Sequence, residues 1–373
     1  MDTATDITMM ARALQVARNG QYWAAPNPHV GCVLVRDGQV IGEGFTQPAG
    51  GNHAEIEALQ AAGDACGSTA YVTLEPCNHH GKTGPCAQAL IDAGVTRVVA
   101  ALADPNPQVG GGGLGHLRAA GVDVHCGVLQ EEAEQLIAGF LARMRRGRGR
   151  VRAKLAMSLD GRTAMASGQS QWITGAAARQ DVQRLRAQSC AIVTGVGSIL
   201  ADNSSLTVRP AELRIDDASR ARAARRQPLR VVLDSALRTP ADARVLDDQA
   251  PSLLCYAQGT TVEQTHAHLD LLALPAGEGL DLHSLMAAMT ARQCNEILVE
   301  SGPRVAGAFL QEGLLDELIV YMAPCLLGSD ARPLFKLPFT HMTEKVQLDI
   351  RDVRKVGQDW RFTAVPVEAT NRR

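Results

Sequence analysis

The chain has 373 residues, of which 46% are hydrophobic and 20% are charged, and its formal net charge at pH 7 is −2. This composition is that of a globular protein, and the length predicts two domains. Because the charge is nearly neutral, no overall field favours nucleic acid or an anionic membrane. The sequence has no bilayer-spanning apolar run and no secretory signal, so we expect a cytoplasmic protein. Nine scattered cysteines predict a reducing compartment, where clustered cysteines are metal ligands or core residues.

The first part of the chain alternates between helical and extended patterns. Apolar residues spaced by three and four predict a first helix over 7–20. Two apolar runs on either side of Asp37 and Gly38 predict a β-hairpin. Four further segments predict a helix, a strand, a helix and a strand: HAEIEALQAAG, STAYVTLEP, PCAQALIDAG and RVVAALADP. This alternation predicts a sheet with helices on its faces.

A cluster of six arginines, RMRRGRGRVR at 143–152, marks a change in composition. Such runs usually lie on a solvated surface, so we interpret it as a helix end and linker rather than a nucleic-acid patch. We therefore predict one domain over 1–147 and another over 148–373. In the second domain the predicted strands are RAKLAMSLDG, SCAIVTGVG, LRVVLDS, PSLLCYA, EILVESG and ELIVYMAP; helices are predicted over 176–188, 282–293 and 303–313, and a surface insertion over 210–227.

Four residues of the first domain follow the H-x-E and P-C pattern of zinc deaminases: His53, Glu55, Cys77 and Cys86. Zinc held by one imidazole and two thiolates keeps a fourth position for water, which it acidifies. A carboxylate beside the metal can carry protons to the ring nitrogen and to the departing ammonia, and Glu55 suits this role. Cys86 follows a proline at a predicted helix start, where the helix dipole favours a thiolate.

Other interpretations of these four residues remain open at this stage. His53 and the two cysteines could be core residues, and His79 or His80 could close a purely structural zinc site. Nucleic-acid deaminases typically have two residues between the cysteines, whereas eight separate Cys77 from Cys86 here. This longer loop contains Lys82 and Thr83, which suggests contacts to a polar, phosphorylated small molecule.

The second domain has weaker patterns of its own. TGVGSIL lacks the third glycine of a dinucleotide motif, so it is as consistent with an ordinary turn as with a binding loop. In VESGPRVAGAFLQEG a strand ends at Gly302 and Pro303 begins a predicted helix, whose free N–H groups could hold phosphate. Gly307 in that helix would permit close packing or close ligand approach.

Several side chains of the second domain are candidates for hydride-transfer chemistry or for substrate binding. We expect the carboxylates of Asp202 and Glu300 near the reacting carbon, with Lys154 as a further candidate proton donor. Asp202 is predicted in a loop. Arg186 and Arg209 could form a clamp for a substrate phosphate. Trp172 lies in a polar segment and could be either a core residue or a platform for a cofactor.

Nearly the whole chain closely resembles the bifunctional deaminase–reductases of riboflavin biosynthesis. The motifs that carry the resemblance are PNPHVGCVLV, HAEIEAL, VTLEPCNHHGKTGPC, ADPNPQVGGGGL, KLAMSLDGRTAMASGQSQWIT, GVGSILADNSSLTVR, VESGPRVAGAFL and LIVYMAPCLLG. The resemblance implies an α/β protein with two three-layer domains, the first similar to cytidine deaminase and the second similar to dihydrofolate reductase. It implies zinc-dependent removal of the 2-amino group of a diaminopyrimidine ribotide, followed by NADPH-dependent reduction of the ribosyl group to ribityl.

The resemblance also implies roles for individual residues. In the first domain the zinc ligands would be His53, Cys77 and Cys86, the proton shuttle Glu55, and the substrate contacts Asn27, His79, Lys82 and Thr83. In the second domain the cofactor contacts would be Ala156, Trp172, Ser198, Asp202, Ser235, Gly302, Pro303, Arg304, Val305, Ala306, Gly307 and Ala308. The substrate contacts there would be Ser170, Arg186, Leu206, Arg209 and Glu300. We expect Asp202 to be catalytic as well, although Ser204 departs from the usual family pattern nearby.

The expected ligands are one zinc ion per chain, NADPH and phosphorylated pyrimidines. We expect no nucleic-acid or membrane partner, and a homo-oligomer. The first alternative is a nucleic-acid-acting zinc deaminase with an appended binding domain, which only the arginine cluster favours. The second alternative is a zinc-stabilised interaction module without catalysis, which predicts a closed site with four protein ligands.

Overall fold

The computed structural model describes residues 3–78, 84–106, 110–262 and 269–367. The chain divides into two compact units, Met1–Arg148 and Gly149–Arg373. Among the described residues, no helix combines the length and the apolar character needed to cross a bilayer.

Unit 1 is a five-stranded sheet with helices. Its strands are β1 (Gly31–Arg36), β2 (Gln39–Phe45), β3 (Thr69–Val72), β4 (Arg97–Ala100) and β5 (Asp123–Cys126). Its helices are α1 (Thr3–Ala17), α2 (Ala54–Ala62), α3 (Cys86–Asp92), α4 (Gly112–Ala119), α5 (Gln130–Leu136) and α6 (Ala138–Arg146). The strand order is β2-β1-β3-β4-β5. β1 runs antiparallel to β2 and β3, whereas β3, β4 and β5 are parallel.

Two glycines show how helices cover both faces of this sheet. A Cβ added to Gly31 in β1 would lie 2.1 Å from the carbonyl oxygen of Ala13 in α1. A Cβ added to Gly44 in β2 would lie 2.3 Å from the carbonyl oxygen of Ala54 in α2. Gly44 pairs with Cys32, the neighbour of Gly31, so the two glycines face opposite sides of the sheet. The unit therefore has the predicted three layers.

Unit 2 contains a larger, mostly parallel sheet. Its strands are β6 (Arg150–Ser158), β7 (Arg162–Ala164), β8 (Ala191–Gly195), β9 (Leu229–Leu233), β10 (Ser252–Ala257), β11 (Leu269–Leu274), β12 (Glu296–Val299), β13 (Glu317–Ala323), β14 (Arg332–Pro333), β15 (Leu348–Val356) and β16 (Asp359–Pro366). Its helices are α7 (Ala176–Gln188), α8 (Val196–Asp202), α9 (Asp217–Ala223), α10 (Leu282–Ala291) and α11 (Pro303–Gln311).

Nine of these strands form one sheet in the order β11-β10-β9-β8-β12-β6-β13-β16-β15. The seven strands from β11 to β13 are parallel, and β16 and β15 continue the sheet as an antiparallel pair. Successive residues of the central strands enter different cores: Val231 packs with α10 and α11, and Val232 packs with α7 and α8. Parallel strands covered on both faces give this continuous apolar pattern. The predicted fold class is confirmed for both units.

Some predicted elements differ from the structure. The first helix begins at Thr3 and ends in a 3-10 turn at Arg18–Gly20. The stretch 210–227 contains α9, which buries Ala223. Asp202 ends α8 instead of lying in a loop, because the short helix follows β8 directly. β15 was not predicted, since almost all of its residues are exposed and polar residues interrupt its apolar ones.

Candidate active sites

Three side chains of unit 1 converge at the ends of secondary-structure elements. His53 is the N-cap residue of α2, Cys86 is the first residue of α3, and Cys77 lies in the segment that follows β3. The Cys86 Sγ lies 3.3 Å from the His53 Nδ1, and the Cys77 Sγ lies 3.6 Å from the same atom. All three donor atoms lie within 4.8 Å of one another. The structure thus brings together the three predicted metal ligands.

This geometry fits a tetrahedral zinc ion. Zinc–sulfur bonds of about 2.3 Å and zinc–nitrogen bonds of about 2.0 Å at tetrahedral angles place sulfur and nitrogen about 3.5 Å apart. Both observed sulfur–nitrogen separations, 3.3 and 3.6 Å, are close to this value. The backbone N–H of Cys86 also donates to the Cys77 Sγ over 3.4 Å. Such a hydrogen bond stabilises a thiolate and fixes its direction.

The electrostatics of the cluster favour a thiolate at one of the two cysteines. The hydrogen bond from the Cys86 thiol lowers the pKa of Cys77 to about 4, and His53 contributes to the same shift. In turn, the hydrogen bond with Cys77 raises the pKa of His53. The protein alone therefore favours a thiolate at Cys77, which is the form that binds a metal.

Glu55 is a buried carboxyl beside these ligands. It lies in the first turn of α2, two residues after His53. Burial raises its pKa to about 7, and the negative charge of Cys77 acts in the same direction. A carboxyl that titrates near neutral pH can both accept and donate a proton during turnover. Its position beside the cluster is the one predicted for the proton shuttle.

The other predicted residues of this site are only partly covered by the structure. Asn27 is half-buried in the segment between α1 and β1, and its backbone N–H donates to the carbonyl oxygen of Ala24 over 2.9 Å. His79, Lys82 and Thr83 lie outside the described residues. Sequence reasoning gave no role to Glu75, which the structure shows to be buried two residues before Cys77. An acid that lies between a buried strand and Pro-Cys could have indicated its importance.

In unit 2, the predicted residues gather at the carboxyl ends of parallel strands. Ala156 lies near the end of β6, Ser198 follows β8, Ser235 follows β9, and Glu300 follows β12. These strands are neighbours in the sheet, so the loops after them open at one edge. Ligands of open α/β sheets bind at this edge. The parallel register therefore collects residues that are far apart in the sequence.

A buried ion pair lies at this edge. The Arg186 Nε and Nη2 donate to the two oxygens of Glu300 over 2.7 and 2.9 Å, and the Arg186 Nη1 donates to the carbonyl oxygen of Thr207 over 3.0 Å. Val299 pairs with Ala153, so Lys154 is the neighbour of Glu300 on the adjacent strand. Burial lowers the pKa of Lys154, although the charge of Glu300 opposes this shift. The Arg209 Nε contacts Glu212 at the surface over 3.0 Å, and the charge of Arg209 contributes to lowering the pKa of Glu300.

Asp202 connects two segments of this edge. Its Oδ1 accepts hydrogen bonds from the Ser170 Oγ over 3.3 Å and from the Gln171 Nε2 over 3.4 Å. The following residue, Trp172, is 69% exposed, so its interpretation as a core residue is wrong. The guanidinium of Arg179 lies 4.5 Å from the centre of the Trp172 ring. Sequence reasoning missed both Gln171 and Arg179.

The segment from Gly302 to Ala308 forms the start of α11. Gly302 is the exposed N-cap residue and Pro303 takes the first helical position. A Cβ added to Gly307 would lie 2.4 Å from the carbonyl oxygen of Lys336, so this glycine serves close backbone packing. Leu206 is buried and has a left-handed backbone with φ of 52°, which is uncommon for a branched residue.

The two units together define a class of protein: a metal-dependent deaminase followed by an α/β reductase. Residues 3–102 match the model of the cytidine and deoxycytidylate deaminase zinc-binding region, and residues 150–362 match the model of the RibD C-terminal domain. The riboflavin biosynthesis protein RibD of Escherichia coli is 51% identical over 94% of this chain and 96% of its own length. RibD of Haemophilus influenzae is 44% identical over 98% of both chains.

Solved structures agree with these matches. The structure of Acinetobacter baumannii RibD covers 98% of this chain and 100% of its own, with a TM-score of 0.89 and 44% identity. The structure of a Thermotoga maritima deaminase/reductase covers 98% of this chain and 99% of its own, with a TM-score of 0.86 and 29% identity. The chain belongs to the RibD family of riboflavin biosynthesis proteins. It is a bifunctional enzyme, a zinc-dependent deaminase joined to an NADPH-dependent reductase.

The ion pair distinguishes the roles of the two predicted phosphate-clamp arginines. Arg186→Gln leaves Glu300 buried without its bidentate partner, so we expect the free energy of unfolding of unit 2 to fall by about 3–5 kcal/mol. Arg209→Gln, at an exposed surface pair, is the matched control and should leave stability within about 0.5 kcal/mol. The free energy of unfolding, by calorimetry, and the KM for the phosphorylated substrate are measured for both variants. Unchanged stability with a raised KM in Arg186→Gln would instead assign Arg186 to the phosphate.

Proposed function

We propose that unit 1 deaminates 2,5-diamino-6-(5-phosphoribosylamino)pyrimidin-4(3H)-one and that unit 2 reduces the ribosyl group of the product, 5-amino-6-(5-phosphoribosylamino)uracil. The observation that carries this proposal is the cluster of His53, Cys77 and Cys86 with the buried Glu55 beside it. The Thermotoga maritima relative is described as both a diaminohydroxyphosphoribosylaminopyrimidine deaminase and a 5-amino-6-(5-phosphoribosylamino)uracil reductase. We assign the deaminase to residues 1–147, the reductase to residues 148–373, and one zinc ion to each chain.

In the deaminase, this chain's residues hold the metal and move protons. His53, Cys77 and Cys86 bind zinc, which supplies the Lewis acidity that makes a water nucleophilic at neutral pH. Glu55 takes one proton from the attacking water and gives it to the ring nitrogen. It then takes the second proton, from the hydroxyl formed on the ring carbon, and gives it to the departing ammonia. Its pKa of about 7 suits both transfers, since burial disfavours the carboxylate enough for it to accept protons. Asn27, His79, Lys82 and Thr83 hold the substrate.

In the reductase, the residues at the strand ends orient cofactor and sugar. NADPH supplies the hydride when it is bound. We place it against Ala156, Trp172, Ser198, Ser235 and the Gly302–Ala308 segment, where the N-terminus of α11 can hold phosphate. Glu300, Leu206, Ser170 and Arg209 contact the substrate, and Arg186 holds Glu300 in place through their ion pair. Lys154 is the candidate proton donor, because its pKa is lowered by burial beside Glu300.

Glu55→Gln tests the deaminase assignment. The amide keeps the shape of the side chain but carries no proton, so zinc should stay bound while ammonia release falls at least about 10²-fold. The reductase should turn over supplied deaminated product at the wild-type rate. Zinc content after dialysis, ammonia release and NADPH absorbance are measured together. Near-normal ammonia release by this variant would contradict the assignment of Glu55 as the proton shuttle.

Asp202→Asn tests the role of Asp202 in reduction. We propose that its carboxylate positions cofactor and ribose through its hydrogen bonds to Ser170 and Gln171. Loss of about 0.5–1.5 kcal/mol of hydrogen bonding should raise the KM for NADPH roughly three- to tenfold while kcat at saturation persists. Deamination should not change. A lower kcat at unchanged KM would mean proton transfer by Asp202, and two unchanged parameters would leave it without a role.

We propose that the substrates are free phosphorylated pyrimidines rather than nucleic acid, and that the enzyme works in the cytoplasm. The arginine cluster supports the first part of this proposal, because acids pair with several of its members. Arg145 contacts Glu134 over 2.8 Å. Arg150 pairs with Glu317, and Arg152 lies 3.1 Å from Glu296. A basic patch made of paired arginines offers few free charges to phosphates.

We also propose a homo-oligomer in which a second copy covers the hairpin of β15 and β16. Ile350, Val353, Leu348 and Trp360 are exposed, and the strand register places them on one face of the sheet. An exposed apolar patch of this kind marks an interaction surface. The charges along β15 are self-complementary: an antiparallel second copy centred on this strand would place Asp349 opposite arginine.

That antiparallel arrangement follows from the order of charges along β15. With the two-fold axis between Arg351 and Asp352, Arg351 faces the Asp352 of the second copy, and Asp349 faces its Arg354. Opposite charges across paired strands stabilise them, whereas like charges would separate them. In the same arrangement Ile350 lies beside the partner subunit's Val353, so the pairing at the edge also buries part of the apolar face.

Ile350→Asp tests this assembly. Ile350 is 58% exposed in one chain, so a charge there should not harm the isolated fold but should be buried at the interface. The unchanged chain should scatter light as a multiple of its 39.6 kDa mass, and the variant as a single chain. Ile7→Asp, at a 46% exposed position of α1, is the matched control and should remain associated. A monomeric unchanged chain at micromolar concentration would contradict the proposal.

A further inference from the structure

Glu75 is a buried acid two residues before the metal ligand Cys77, and the deamination chemistry described above does not use it. Only 3% of its surface is exposed, and it lies between β3 and Cys77. Its backbone N–H donates to the carbonyl oxygen of Leu102 over 2.9 Å, which fixes its own main chain beside the end of β4. A buried carboxylate is costly unless its oxygens are hydrogen-bonded. The partners of this one explain what it does.

Each of the two side-chain oxygens of Glu75 accepts two backbone hydrogen bonds. The Oε2 accepts from the N–H groups of Asp104 and Gly111, both over 3.0 Å. The Oε1 accepts from those of Gly113 over 2.9 Å and Leu114 over 3.1 Å, at the start of α4. Four backbone donors satisfy the Glu75 carboxyl oxygens, and two of them belong to the first turn of α4. One side chain thus joins the segment after β4 to the first turn of a helix.

The same helix start touches the ligand segment directly. A Cβ added to Gly113 would lie 1.8 Å from the carbonyl oxygen of Pro76, so the backbone of α4 packs against the residue before Cys77. The Asn78 Nδ2 donates to the carbonyl oxygen of Gly112 over 3.3 Å on the other side of Cys77. Cys77 is therefore held between two residues that both contact α4.

The position of Cys77 also affects the second cysteine ligand, Cys86, because hydrogen bonds join Cys77 to the start of α3. The Cys77 carbonyl oxygen accepts from the N–H of Ala87 over 3.0 Å, and the Cys77 Sγ accepts from the N–H of Cys86 over 3.4 Å. A shift of Cys77 would therefore move its sulfur relative to α3 and to His53. Metal affinity and the activity of bound water both depend on such supporting contacts around the ligands.

We propose that Glu75 is a positioning residue of the deaminase: its four hydrogen bonds lock α4 against Pro76 and thereby set the position of the Cys77 thiolate. The inference rests on the proposed zinc site, and it predicts an effect on metal binding as well as on catalysis. Glu75 can fill this role because a carboxylate only accepts hydrogen bonds, and all four of its partners are donors. An amide in its place directs N–H groups at two of the four backbone donors.

Glu75→Gln tests the proposal in the full-length protein. We expect the zinc dissociation constant, measured by competition with a chelator, to rise about 10–100-fold. The cobalt-substituted variant should show shifted sulfur-to-metal absorption bands, and kcat for deamination should fall at saturating zinc. Reduction of supplied deaminated product should be unchanged. Glu43→Gln, a surface exchange in the same unit, is the matched control and should behave as the unchanged protein.

The outcomes separate positioning from simple stabilisation. A lower melting temperature with unchanged zinc affinity and unchanged cobalt bands would overturn the proposal. If Glu75→Gln does not fold, Glu75→Asp decides: it keeps the charge at a shorter reach and should weaken zinc binding less than the amide would. Wild-type zinc affinity and kcat in Glu75→Asp would overturn the proposal too. Because zinc affinity does not depend on the pyrimidine used, failure of the proposed substrate would leave this result valid.

Discussion

Removing a charged group from water is costly unless partners replace the lost hydration, and both active sites of this chain are built from such groups. Around the metal cluster of unit 1 the buried acids are Glu55 and Glu75. In unit 2 the corresponding acid is Glu300. Each is stabilised differently: Glu75 by four backbone N–H groups, Glu300 by the fork of Arg186, and Glu55 only weakly.

The difference in stabilisation corresponds to a difference in role. Glu75 and Glu300 have both oxygens satisfied by hydrogen-bond partners, so their side chains are fixed in place. Burial instead raises the pKa of Glu55 to about 7, and this is the value that suits a group which gains and loses a proton in each cycle. The chain therefore combines rigid carboxylates that place the ligands with one carboxyl that is left free to react.

Local chemistry in the sequence was enough to predict the metal cluster. His53 and Glu55 share the first turn of one helix, and Cys86 starts another, so short motifs fix their geometry. The main strands of both sheets were also predicted, because buried strands have dense apolar runs. The three-layer fold follows from their alternation with helices.

Long-range partners could not be predicted in the same way. Arg186 and Glu300 are 114 positions apart and meet only because β12 lies beside β6 and β8 in the sheet. The donors of Glu75 come from a segment that gives no capping pattern of its own, since glycines supply two of the four N–H groups. β15 escaped prediction because its apolar residues remain exposed in the single chain and are interrupted by charges.

In the mechanism that we propose, the two chemistries lie in separate units, and the product of the first is the substrate of the second. The direct measurement follows ammonia and NADPH absorbance together while the diaminopyrimidine ribotide is supplied, with zinc present or chelated. With zinc, one NADPH should be oxidised for each ammonia released. Without zinc, both should stop, and NADPH oxidation should resume when the deaminated product is added. Oxidation of NADPH by the diaminopyrimidine in the zinc-free protein would contradict this account.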